Sequence, residues 1–143
     1  MILETIHAFG HKKILCTHNT TIEITKDKHL TIKGNCILGI NASKACIDLN
    51  SNLKALIRQG NKFKIIIKVG EHTDFFYGFG HYNLSLSNEK DMVFRKSEFI
   101  CDRTVLIKCT KSSSELDRML IKHLRNQGKK FLIEFEQIDE DEE

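Results

Sequence analysis

Hydrophobic positions along this chain follow two rhythms. In the stretch TIEIT, Ile22 and Ile24 alternate with Thr21, Glu23 and Thr25, the period-2 signature of a half-buried strand. The polar face of that strand is expected to meet solvent. Further on the spacing lengthens, and Leu49, Leu53, Leu56 and Ile57 recur at helical intervals, as do Leu116, Leu120 and Leu124. Each of these runs stops before a glycine, Gly60 or Gly128, which suits a left-handed helix cap. A dense apolar stretch then follows each glycine, KFKIIIKV and KFLIEFEQ, and reads as a strand. Ahead of the helices, CILGINA and TVLIKCT read as another strand, and a strand opening each half runs into Phe-Gly-His. Strands outnumber helices and no regular β-α-β alternation appears. The pattern predicts a mainly β fold, a barrel or sandwich carrying two helices.

The two halves resemble each other in order and spacing. A slide of 70 residues sets Phe9, Gly10 and His11 on Phe79, Gly80 and His81, Ile24 on Phe94, and Lys26 on Lys96. A loop near residues 31–37 then shortens the slide to 67, setting Ile40 on Ile107, Lys44 on Lys111, Leu53 on Leu120 and Arg58 on Arg125. One more residue of slip aligns Lys62-Phe63 with Lys130-Phe131. Such an ordered series predicts a tandem duplication of about 65 residues with pseudo-twofold symmetry, its copies covering roughly 5–68 and 74–136. Copies this short are expected to interlock around one core rather than stand alone. Residues 1–138 are therefore read as a single domain and 139–143 as an acidic tail.

Charge adds a second asymmetry. The 143 residues hold 22 Lys and Arg against 19 Asp and Glu, a net charge of +3. Five of those acids are residues 139–143, so the remaining body has 22 basic against 14 acidic residues, a net +8. A basic body attracts phosphates, and an acidic tail can mimic the anion. Five cysteines, an odd number with no Cys-x-x-Cys pair, argue against a disulfide framework or zinc ribbon and for free thiols in a reducing cytoplasm. No signal peptide opens the chain and no apolar run approaches the roughly 18 residues of a membrane span, so a soluble cytoplasmic protein is expected, with no membrane partner.

Candidate chemistry is dispersed. His11 and His81, in the repeated Phe-Gly-His, are read as a core Phe, a glycine at a bend or close backbone approach, and a rim histidine; the functional alternative has the two histidines meeting near the twofold axis to line one pocket. His7 and His11 lie four apart on a strand, about 13 Å, too far to share an ion, and no metal site is expected. His18 beside Thr20 and Thr21, with Glu23 nearby, could supply a base, a hydroxyl and a carboxylate, although the second half has Asn88 in place of His18. No Gly-x-Ser-x-Gly elbow and no P-loop is present, and no cofactor is expected. Lys44 and Lys111 each follow a strand and precede a helix, where the helix dipole disfavours positive charge. An anion held there by the lysine and free N–H groups, with Thr20 and Thr21 as further candidate ligands, would resolve the conflict. In FFYGFGHY, Phe75, Tyr77 and Phe79 share one strand face, either packed in the core or exposed as a base-stacking platform.

The run from Phe9 to Leu49, together with MVFRKSEF and SELDRMLIKHLR, resembles an archaeal family of uncharacterised small proteins, domain of unknown function three-seven-one. The resemblance implies a cytoplasmic, mainly β, sandwich-like protein. It sets the family pattern on Gly10, His11, Thr17, His18, Thr20, Thr21, Glu23, Thr25, Lys44, Asp48 and Lys111, and brings no established activity. The sequence thus points first to a non-enzymatic anion-binding module contacting RNA or a ribonucleoprotein. The alternative is a small-molecule enzyme, or a binder of a phosphorylated ligand, that uses His11, His18, Glu23 and His81.

Overall fold

The computed structural model describes residues 1–30, 34–126 and 128–139. Part of the loop that shortens the slide, and the acidic run past Asp139, lie outside the described residues. The chain forms β1 (Ile2–Phe9), β2 (Thr21–Thr25), β3 (Ile37–Gly39), a 3-10 turn (Cys46–Asp48), α1 (Ser51–Arg58) and β4 (Lys62–Val69). It then forms β5 (His72–Phe79), β6 (Asp91–Arg95), β7 (Thr104–Leu106), a second 3-10 turn (Ser113–Glu115), α2 (Arg118–Leu124) and β8 (Lys130–Ile138). The second series repeats the first element for element. Gly70, at φ +59°, turns the tight hairpin that joins them between Val69 and its partner His72.

The strands divide between two four-stranded sheets, in the orders β1-β8-β4-β5 and β3-β2-β6-β7. Each sheet reads the same when the halves are exchanged. In the second, Thr21 pairs with Arg95 and Thr25 with Asp91, and the 70-residue slide carries each of these pairs onto the other. The barrel expectation is corrected here: no closed barrel forms among the described residues. Ladders stop at β1, β5, β3 and β7. Among the described residues, the isolated bridges Phe9–Ile40 and Phe79–Ile107 reach between the sheets, just past the ends of the three-residue strands β3 and β7.

One hydrophobic core joins the sheets. Ile6, Ile65, Ile67 and Phe135 of the first sheet cluster with Ile22, Ile24, Met92 and Phe94 of the second. The Phe94 ring lies 5.4 Å from that of Phe76 and 5.9 Å from that of Phe135. Truncating Phe94 to Ala would cost about 3–5 kcal/mol. The helices close the ends as their apolar spacing requires. Asn50 caps α1 by accepting from the Leu53 amide at 2.7 Å, while Leu53 and Ile57 point inward. Asp117 caps α2 through the Met119 and Leu120 amides, with Leu120, Ile121 and Leu124 inward.

Two sequence expectations change. Thr21 and Thr25 do not face solvent; both are buried, and the Ser113 hydroxyl donates to the Thr21 carbonyl. The stretch KILCTHNTTIEIT, residues 13–25, expected as a second strand region, is a strand only over its last five residues. Before it the chain turns through Cys16 at φ +52°, matched by Leu86 at φ +51°.

Candidate functional site

The Phe-Gly-His pair is a structural device. A Cβ on Gly10 would collide with the carbonyl oxygen of Leu124, at the end of α2, and one on Gly80 with that of Ile57, in the last turn of α1. Each strand end is thus clamped by the helix end of the opposite half. His11 and His81 follow, and each ring accepts at Nδ1 from the amide two residues on, Lys13 at 3.0 Å and Asn83 at 3.1 Å. They occupy equivalent turns but do not meet. β1 and β5 are opposite edges of their sheet and run antiparallel, so their ends lie at diagonal corners.

His18 also serves its own loop. Its Nδ1 lies 3.2 Å from the Thr20 amide, 3.3 Å from the Thr21 amide and 3.0 Å from the Thr21 hydroxyl. In the second half the Asn88 side-chain oxygen accepts from the amides of Lys90 and Asp91, at 2.9 and 2.7 Å. Imidazole nitrogen and amide oxygen do the same work, which accounts for the one being exchanged for the other.

Lys44 and Lys111 meet anions supplied by the chain. Lys44 lies 2.7 Å from Glu4, and Glu4 also accepts from the Asn50 amide. Lys111 lies 2.6 Å from Asp74, which accepts from the Asp117 amide. Both carboxylates are buried, each serving one lysine and one helix entrance. The 3-10 turns repeat the logic on the surface. Asp48 accepts from the Ala45 amide and pairs with Lys26, while Glu115 accepts from the Ser112 amide and pairs with Lys96. Hydrogen bonding from the lysine, first, and from these amides holds both carboxyls below their ordinary range.

Glu23 shares its cavity with none of the three histidines named with it. It lines a cavity of about 270 Å³ with Cys36, His29, Asp91 and Arg103. Arg103 bridges Glu23 at 3.5 Å and Asp91 at 3.3 Å. Burial, then the neighbouring Asp91, pushes the Glu23 carboxyl up, against the pull of Arg103. One carboxylate oxygen of Asp91 is buried without a hydrogen-bond partner. The proposed constellation of His11, His18, Glu23 and His81 is therefore not assembled at one place.

The sheet exposes something else. On β5, Phe76 enters the core while Phe75, Tyr77 and Phe79 line the outer face, with Phe75 40% exposed. Lysine side chains lie over these rings. Lys62 is 4.9 Å from the centre of Tyr77 and 5.9 Å from that of Phe79, Lys64 is 4.4 Å from Phe75, and Lys111 is 5.4 Å from Phe75. A cavity of about 380 Å³ opens between Phe75, Tyr77, Thr110 and Lys111. Sequence periodicity put the three aromatics on one face but could not say which side of the sheet faced out.

Comparison with known proteins now bears on this architecture. A family model described as domain of unknown function, DUF371, matches residues 6–138. The chain belongs to the DUF371 family. It is 41% identical over 127 residues to the uncharacterized protein MJ0206 of the archaeon Methanocaldococcus jannaschii, covering 89% of this chain and 93% of that one. The resemblance read from the sequence is thereby borne out. In this DUF371 protein the matched span holds the paired glycine clamps, the Lys111–Asp74 pair and the aromatic face, and no described helix is long and apolar enough to cross a membrane.

Proposed function

We propose that this protein is a non-enzymatic module that binds single-stranded RNA on the outer face of the first sheet. The observation that carries the reading is the row Phe75, Tyr77 and Phe79, on the outer face of an edge strand with Phe75 exposed and the other two half-buried, beside Lys62, Lys64 and Lys111. Aromatic faces stack on bases without regard to sequence, at about 1–3 kcal/mol per base, and Lys64, beside Phe75, is placed to meet a backbone phosphate. The +8 body supports an anionic partner. β8 ends beside this face, since Ile138 pairs with Lys62 and Lys62 with Phe79. Residues 139–143 then act as a tethered competitor for RNA. Nothing in the geometry favours the enzyme alternative.

The same reading includes the origin of the face. The repeated element order and exchangeable ladders support duplication of a unit of about 65 residues into an interlocked sandwich. The copies then diverged, and where β5 has Phe75 and Tyr77, β1 has Thr5 and His7.

Anisotropy of a labelled oligouridylate tests the proposal. Protein lacking residues 139–143 should bind more tightly than the full chain, and binding should fall steeply between about 50 and 200 mM salt. The double variant Phe75→Ala, Tyr77→Ala should lose about tenfold or more in affinity. Absence of binding by the tail-less protein at low salt, or full affinity in the double variant, sinks the reading.

A further inference from the structure

A second basic feature lies away from the aromatic face. The turn after β1 and the outer side of α2 enclose an open concavity of about 670 Å³, floored by Leu15 and Ile121 and rimmed by Lys12, Arg118, Lys122 and Arg125. None of its lining residues is acidic, and among the described residues none of the four cations forms an ion pair with a carboxylate. Arg118 is fixed by carbonyls alone, donating to Leu116 at 3.0 Å, Cys16 at 3.0 Å and Ser113 at 2.6 Å, which orient its charge without neutralising it. Arg125 donates through Nε to the Lys12 carbonyl at 3.4 Å, and its terminal nitrogens take no protein acceptor among the described residues.

The matching surface beside α1 lacks this set. Tyr82 stands for Lys12, Ser51 for Arg118 and Ala55 for Lys122. Arg58 stands for Arg125, and its guanidinium is occupied by the Leu84 and Ser85 carbonyls. Four like charges around one hollow repel each other, so the arrangement is relieved by a ligand carrying more than one negative charge. The volume falls in the range of small-molecule sites, and the apolar floor suits a ligand with an organic portion.

The geometry points to a binding site for a small organic phosphate bearing at least two phosphate charges, held by Lys12, Arg118, Lys122 and Arg125. Thr17 and Asn126, also on its wall, supply neutral hydrogen bonds. The site is independent of the RNA face, which uses other residues.

Calorimetric titration with pyrophosphate and with adenosine diphosphate at about 50 mM salt tests it. Saturable one-to-one binding of both is expected. The exposed pair Lys122→Gln, Arg125→Gln should weaken both by about tenfold or more, with an unchanged melting temperature. Arg118 is left intact because it ties two loops together. Phe75→Ala should leave both titrations unchanged, and the α2 variant should keep its RNA affinity. Absence of saturable binding overturns the site. So does an equal loss in a charge-matched Lys28→Gln, Lys129→Gln control, which would trace the effect to net charge. Parallel loss of pyrophosphate and RNA binding in the α2 variant also overturns it, assigning the hollow to the RNA backbone.

Discussion

At the scale of single residues, the side chains with the most reactive chemistry are largely committed to holding loops. His18 shows this best, because the second half performs the same task with Asn88. His18→Asn should therefore change stability by less than about 0.5 kcal/mol, whereas His18→Ala, which leaves two amides without their acceptor, should cost about 1 kcal/mol. Chemical denaturation of both variants decides it; equal losses would mean the ring acts by something other than its acceptor nitrogen. Cys101 is the exception among the thiols. Burial opposes its ionisation, but the Arg103 amide, the Thr104 hydroxyl and the Arg95 guanidinium, 3.3 Å away, outweigh it and hold the thiol at about 7. Burial instead pushes Cys16 up to about 11 and Cys46 up to about 12, and lifts Cys109 as well. Iodoacetamide labelling followed by mass spectrometry should modify Cys101 with a half-maximal rate near pH 7 and spare those three in the native state. Labelling that rises only above pH 8.5 at Cys101 would contradict this environment.

At the scale of elements, contacts between the halves matter most. The end of β1 is seated by α2 and the end of β5 by α1, through glycines that leave no room for a methyl group. Gly10→Ala and Gly80→Ala should each destabilise the fold by about 1–3 kcal/mol, by forcing a helix end away from a strand. Thermal melts check this, and a melting temperature unchanged by either substitution would show the helix ends free to move. The sequence revealed the repeated glycine but not its reason, because Leu124 and Ile57 are distant in the chain. It likewise revealed the anomaly of Lys44 and Lys111 at helix entrances. The partners, Glu4 and Asp74, sit in strands whose alternation gave no hint that an acid faced inward.

At the scale of the whole molecule, the mainly β composition, the two helices, the glycine end of α1 and the matched order of elements were legible, since each rests on local pattern, whereas α2 is capped at Arg125, three residues before Gly128. Sheet membership was not legible. Nothing local distinguishes β3 and β7, three residues each, as parallel edge strands, or shows that the two sheets stay open to each other except at single bridges. The candidate sites were legible as residue types and illegible as places. The aromatics of β5 lie on the outer face of the sheet, the four cations around α2 come from segments over a hundred positions apart in the chain, and His11 and His81 follow strand ends at diagonal corners. One feature of the first sheet also orders events in time. β8 lies between β1 and β4, so Phe9 finds its ladder partner only when Lys130 has been made. A nascent chain leaving the ribosome can close the β4–β5 hairpin early, but it carries β1 without its ladder partner until β8 has emerged. Until then the apolar side of β1 is open to chaperones and to neighbouring chains, and folding to the native state is completed only after translation has passed α2.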